Sequence, residues 1–359
     1  MQHGRRIATL IVEILILAAG TARSQTLANP DLSAIGDMRV IARSSAAADS
    51  MGTGQLEFRF EELELALNAY LNPYMRADVY LGINDAGIEI EEANFTILRG
   101  LPLSLQFNAG QYLLDFGRIN PQHPHQWAWI DRPLMERAML GDEGLRAVGT
   151  RVSTLFALGD NAVTITASAF GSNAFAGEDA DDDGAAEKIM GNGRASIFRQ
   201  FGDFWSLEVG GSYLAGEYDP SESLSLRMAE ADLKLKWRPD SYRALIWMAQ
   251  VDTGSRDVVS ADTLATVSTV DATGAFTSLE LAWHKRWSAG GFFDWTQNPW
   301  IQDAETTAAG AFLGFSPAEE TARISLVYRH ETSDLYDYTN DSLTLQFLWS
   351  MGPHKPHTF

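Results

Sequence analysis

Along residues 342–351 large apolar side chains alternate with mostly polar ones, Leu343, Leu345, Phe347, Trp349 and Met351 against Ser342, Thr344, Gln346, Leu348 and Ser350. A period of two is that of a β-strand, one set on each face. One face is apolar throughout and the other polar apart from Leu348, which suits a wall with hydrocarbon on one side and water on the other. Pairing of this strand with the first would close the sheet and leave no edge of unpaired backbone groups. The pattern predicts an all-β fold, a transmembrane antiparallel β-barrel.

The same alternation recurs along the chain. Residues 36–44 read as a first strand through Met38, Val40 and Ala42. Over 55–69 the apolar phase runs Leu56, Phe58, Phe60 and then shifts to Leu63, Leu65, Leu67, which predicts a bulge near Glu61. After the Asn72-Pro73 turn, residues 74–83 put Met75, Ala77, Val79, Leu81 and Ile83 opposite Tyr74, Arg76, Asp78 and Tyr80. Further strands fall at 87–98, 102–115, 146–156, 161–170, 188–201, 205–215, 223–238, 242–252, 275–287, 291–296, 306–315 and 322–331. That makes about sixteen, an even count in the range of such barrels. Tight connections interleave with longer polar ones at 116–143, 171–187, 253–274 and 332–340, the asymmetry of short periplasmic turns and long outer loops. Both chain ends then lie on the periplasmic side.

Residues 116–143 break the alternation with Pro121, Pro124 and Pro133. They carry Trp127, Trp129, His123, His125, Asp131 and Arg132 as well. A loop this long is functional or disordered, and its tryptophans argue for order.

Composition changes the picture in a few places. The formal charge is −20, from 47 acidic residues against 27 Lys plus Arg, which disfavours nucleic acid as a partner. A mean hydropathy of −0.13 is that of a soluble protein, but a half-polar barrel wall averages to the same value. Absence of Cys is neutral between compartments. Arg5 and Arg6 precede an apolar run at 7–19 and the small residues around Ala22, which predicts a secretory signal peptide over 1–24 and a barrel over 25–359. Removing Arg5, Arg6, Arg23 and Glu13 takes away a net +2 and leaves −20 − 2 = −22.

The strand count resembles that of general porins, whose third outer loop, between the fifth and sixth strands, folds inward and narrows the pore. Residues 116–143 fall at that place, so the resemblance implies a constriction loop presenting His123, His125, Trp127, Trp129, Asp131 and Arg132. Short motifs resemble a porin-like family labelled zinc-regulated, TonB-linked outer-membrane receptors. They are Pro73-Tyr74-Met75-Arg76-Ala77-Asp78-Val79, Gly117-Arg118-Ile119-Asn120, His123-Pro124-His125 and Asp131-Arg132-Pro133-Leu134, with Asn29-Pro30-Asp31 and the periplasmic tail at 352–359 less specific. The resemblance implies residence among outer-membrane lipid and passive diffusion of small hydrophilic solutes or ions, divalent metal among them. By the same analogy the chain would form a homotrimer and be inserted by barrel-assembly machinery that reads a terminal aromatic, here Phe359.

Imidazole is a common ligand of zinc, so His123, His125, His354 and His357 are candidate metal ligands. No Cys and no carboxylate at ligand spacing completes a tetrahedral set, and the bland alternative is that they hydrogen-bond within proline-fixed turns. Asp179, Asp181, Asp183 and Gly184 resemble the start of a calcium loop, but the twelfth position is Met190, and a solvated acidic loop is the simpler expectation. Beyond zinc or calcium no cofactor is implied. By strand parity Arg76, Asp78, Arg151, Glu280, Arg286, Arg323 and Arg329 face the lumen, either setting ion selectivity or pairing with one another. Trp283, Trp287, Trp295, Trp300 and Trp349 are candidate interface girdle residues. Two other functional classes stay open: a lipase-like outer-membrane enzyme, for which His284 and His330 have serines nearby, and a closed barrel that anchors or adheres.

Overall fold

The computed structural model describes residues 30–44, 55–175, 188–219, 223–259, 267–317, 321–334 and 338–352. The expected leader at 1–24, the acidic run within 178–187, His354, His357 and Phe359 lie outside the described residues. The strands are β1 (Asp31–Arg43), β2 (Leu56–Asn72), β3 (Met75–Asn84), β4 (Gly87–Ile97), β5 (Gln106–Leu113), β6 (Arg146–Leu158), β7 (Asn161–Gly171) and β8 (Ile189–Phe201). They continue as β9 (Trp205–Asp219), β10 (Leu224–Trp237), β11 (Arg243–Val259), β12 (Val267–Trp283), β13 (Trp287–Gln297), β14 (Glu305–Phe315), β15 (Ala322–Ser333) and β16 (Tyr338–Met351).

Each strand pairs with its chain neighbours, and β1 pairs antiparallel with β16, so the sheet is a closed barrel. Val40 sits opposite Leu345 and Gly36 opposite Trp349 in this seam. A β-carbon at Gly36 would overlap the Trp349 indole, so the glycine admits the ring at the closure. On β16 the apolar set, including Leu343, Phe347 and Met351, is exposed on the outside, while Gln346 is fully buried within. The outer face elsewhere is greasy in the same way, with Phe58 at 78% exposure and Leu155 at 62%, an arrangement stable only if lipid covers it. Aromatic pairs gather at the ends of the strands that meet in tight turns: Trp205 with Trp237, Trp283 with Trp287, and Trp287 with Phe315 at a ring separation of 4.6 Å.

Two bulges shape the inner face along β1–β4. Asp37 pairs with Glu62 and Met38 with Phe60, which leaves Glu61 as the extra residue on β2. Tyr80 pairs with Glu92 and Leu81 with Ile90, which leaves Glu91 as the extra residue on β4. An inserted residue breaks strict alternation, so neighbouring side chains can share a face.

Several expected boundaries move, β1 starting at Asp31 and β16 at Tyr338 among them, and three shifts have a visible cause. The 275–287 strand ends at Trp283, because His284 and Lys285 take up positive φ and form the turn into β13. Most of the expected loop at 253–274 is strand: Thr253 pairs with Thr273 and Val259 with Val267, a polar hairpin fastened by Thr253–Thr273 and Thr269–Asp257 side-chain bonds. The 102–115 strand starts only at Gln106, since Leu103 and Ser104 sit at positive φ in a short 3-10 turn.

Candidate functional site

The segment between β5 and β6 leaves the wall and crosses the lumen, and its sequence explains the path. Gly117 has φ +67, and a β-carbon there would lie 2.5 Å from the Gln250 amide. Its N–H donates to Ser212 Oγ at 3.0 Å, and the N–H groups of Arg118 and Ile119 donate to Gln250 Oε1 at 3.1 and 3.3 Å. The Arg118 guanidinium meets Glu208 at 2.5 Å and Asp232 at 3.5 Å, on β9 and β10. Asn120 closes the neck of the loop, donating to the carbonyls of Leu114 and Leu145 and accepting from Leu145 N–H at 2.8 Å. The Gly-Arg-Ile-Asn motif is thus a backbone anchor rather than a ligand site.

Beyond the neck, apolar side chains press the loop against the β11–β15 wall. Trp127 and Trp129 stack at 6.1 Å, and Trp129 meets Phe276 at 4.8 Å. With Ile119, Ile130 and Met135 they form a buried cluster against Met248, Phe292, Phe312 and Val327. Each side chain so buried contributes about 1.5–3 kcal/mol. Arg323 donates to the Trp127 carbonyl at 2.9 Å. A short helix, α1 (Leu134–Leu140), follows Pro133, and the Asp294 carboxylate of β13 accepts from its first N–H groups, Leu134 and Met135. Glu136 on α1 is fully buried beside Arg132 at 3.5 Å and accepts from Gln250 at 2.7 Å. Burial pushes its carboxyl up to about 7 despite the nearby guanidinium.

The other edge of the loop faces β1–β4. Asp131 pairs with Arg39 at 2.8 Å, and Arg39 also holds Asp37 at 2.8 Å. His123 is buried against Tyr80, ring centres 4.9 Å apart, and stacks with His125 at 5.8 Å. Its Nδ1 lies 3.1 Å from Glu64 Oε2 and 3.4 Å from Glu91 Oε2, and its Nε2 lies 2.9 Å from Glu92 Oε1. His125 Nδ1 is 3.2 Å from the same Glu64 oxygen. Burial alone would lower the His123 pKa, but the carboxylates of Glu64, Glu91 and Glu92 more than offset it and hold the ring well above its ordinary value.

Between this edge and the wall lies a cavity of about 420 Å³ lined by strands β1–β4, the loop-proximal ends of β5 and β6, β15 and β16, and by the loop. Its lining carries Arg39, Arg43, Arg59, Arg132, Arg137, Arg146 and Arg329 together with Asp37, Glu61, Glu62, Glu64, Glu91, Asp131, Asp142, Glu143 and Glu331, several of them paired in contact such as Arg137 with Asp142 at 2.8 Å. Of the wall charges expected to face inward, Arg76 pairs with Asp78, Arg151 with Asp115 at 2.9 Å, and Arg329 with Glu331 at 2.8 Å. Arg323 and Glu280 share their strands' inward faces with the buried Ser325 and Ser278. Arg286 departs from the expectation: it is exposed in the β12–β13 turn, because that turn falls four residues earlier than the pattern suggests. Trp300 differs too, lying over Arg256 at 4.0 Å and beside Tyr218 instead of joining a girdle. Glu64, Glu91, Glu92, Gln250 and Asp294 were not singled out from sequence, although the bulge phase shift at Glu61 was the kind of signal that could have flagged the acidic wall.

No protein-family model matches the chain. It is 37% identical over 98 residues to an uncharacterized protein of Aquifex aeolicus, a match spanning 27% of this chain and only a fifth of that protein's length (20%). Solved structures are more informative about shape. The anion-selective porin of Comamonas acidovorans aligns at TM-score 0.59 with 10% identity, covering 90% of this chain and 99% of that one. The DcaP outer-membrane channel of Acinetobacter baumannii gives 0.56 with 10% identity over 92% and 100%, and in-vitro folded OmpT of Vibrio cholerae gives 0.55 with 8% identity over 93% and 100%. This is the porin fold. The outer-membrane setting of those barrels agrees with the lipid-demanding belt on the outer face of this chain.

Proposed function

We propose that the chain is an outer-membrane channel for passive diffusion of small hydrophilic solutes or ions, narrowed by residues 116–143. The observation that carries this reading is the cavity between the loop edge and the β1–β4 wall, lined almost throughout by guanidiniums and carboxylates. Opposed charges keep such a space wet and discriminate among solutes by field as well as by size. Loop and wall meet in buried apolar clusters on the far side, so the path is displaced to one side of the lumen.

Divalent metal ions are among the solutes this reading admits, in line with the resemblance to zinc-regulated receptors carried by the His123 and Asp131 motifs. Assembly as a homotrimer follows the analogy with OmpT of Vibrio cholerae, one form of which is described as a trimer. Neither a lipase nor an anchor gains a comparable observation. His330 bonds Asp341 at 2.8 Å on the outer face, and the third group there is the Tyr328 hydroxyl, not a serine.

Liposome swelling tests the reading. Vesicles carrying the purified chain should swell in small sugars and progressively less in larger oligosaccharides. No swelling, with the barrel shown to be folded, would contradict it.

A further inference from the structure

Three donor atoms converge where the loop meets the wall: Nδ1 of His123, Oε2 of Glu64 and Oε2 of Glu91, with Glu64, Glu91 and His123 all buried and one oxygen or nitrogen of each within 4.8 Å of the others. Their Nδ1-to-oxygen separations of 3.1 and 3.4 Å match the edge of a coordination tetrahedron, about 3.4 Å for ligand bonds of about 2.0–2.2 Å. As a hydrogen-bonded cluster the set is incomplete. A single Nδ1 proton faces two carboxylate oxygens, so Glu91 Oε2, at 8% residue exposure, meets it only at 3.4 Å and outside good hydrogen-bond geometry.

The surroundings are built for such a centre. The bulge at Glu91 lets Glu91 and Glu92 both address His123. A β-carbon at Gly82 would overlap the Glu62 carboxylate and come within 3.5 Å of Glu91 Cδ, so the strand between is pared back to admit these side chains. His123 Nε2 points at Glu92 Oε1 at 2.9 Å, the carboxylate–imidazole contact that fixes the tautomer of a metal-bound histidine.

We propose that Glu64, Glu91 and His123 bind a resident divalent transition-metal ion that clips the constriction loop to the β2–β4 wall, with Glu92 orienting the imidazole. The fourth position is open to water, or to His125, whose Nδ1 lies 3.2 Å from Glu64. An imidazole donor favours zinc-like ions over calcium and magnesium, which prefer all-oxygen sets. Binding releases the Nδ1 proton to solvent, and no redox step is involved. Such an ion is part of the protein rather than its cargo, so the inference stands apart from whether the lumen conducts.

The test is calorimetric titration of zinc into full-length, chelator-stripped protein in detergent, with calcium as the control cation. The expected result is one zinc per chain, no comparable calcium heat, and a rise in melting temperature. Glu91→Gln should abolish the tight phase, and Glu92→Gln should weaken it about 10–100-fold. Both variants should keep heat-modifiable gel migration, which certifies the barrel. A double variant of the tail, His354→Ala with His357→Ala, should bind as wild type. Absence of zinc heat, equal heat for calcium, unchanged binding in Glu91→Gln, or loss of binding in the tail variant alone would each overturn the assignment.

Discussion

Gln250 on β11 donates to Glu136 across 2.7 Å while its carbonyl oxygen accepts from the backbone of the same loop at Arg118 and Ile119. One wall side chain therefore holds both the neck of the constriction loop and its helix. Gln250→Leu fills similar space but strands two buried N–H groups, each costing about 1–3 kcal/mol. Amide exchange at residues 118 and 119, read by mass spectrometry, should accelerate strongly while exchange in β1 and β16 stays slow.

Glu136 makes the packing of that loop sensitive to pH. Its carboxyl is held near 7 when folded against an ordinary value of 4.5, chiefly by burial. A raised carboxyl favours the folded state most below the lower value and loses that contribution as pH rises through the upper one. Melting temperature in detergent should therefore fall between about pH 4.5 and pH 7.5, and Glu136→Gln should flatten that slope.

Arg118 is the buried cation of the loop neck. Its removal in Arg118→Ala strips the guanidinium from Glu208 while Asp232 keeps Arg194 at 2.6 Å, a loss of about 3–5 kcal/mol for a buried pair broken from one side. Denaturant unfolding in micelles should show a midpoint shift of that size, and a shift no larger than an exposed pair gives would contradict the burial.

Arg137 lines the cavity and pairs with Asp142 at 2.8 Å near its mouth. Reversing its sign in Arg137→Glu adds negative charge to the solute path without disturbing the buried neck. The reversal potential in a potassium chloride gradient should move toward potassium, with little change in melting temperature.

Much of this molecule was legible in its residue order, for reasons that differ from element to element. The β16 alternation predicted the seam with β1, and the phase shift between Phe60 and Leu63 predicted the bulge at Glu61, because apolar side chains mark the lipid face on both sides of each feature. The bulge at Glu91 is marked in the same way, by the shift of the apolar phase from Ile88 and Ile90 to Ala93, Phe95 and Ile97, although 87–98 reads at first sight as one unbroken strand. The turn at 284–286 was misplaced because Trp283 and Trp287 both suit a strand end and neither Gly nor Pro separates them. The polar β11–β12 extension read as a loop because it projects past the greasy belt, where alternation loses its contrast. His123 and His125 stood out by composition, but Glu64, Glu91 and Glu92 belong to them only through the fold, with Glu92 lying 31 residues away in sequence.

The central claim is that water runs past the constriction loop from one face of the barrel to the other. Single-channel recording in planar bilayers tests it most directly. Purified protein is predicted to give discrete, long-lived openings whose conductance rises when residues 121–140 are replaced by a short glycine-serine linker. A folded barrel that stays electrically silent, and remains silent after that replacement, would contradict the account.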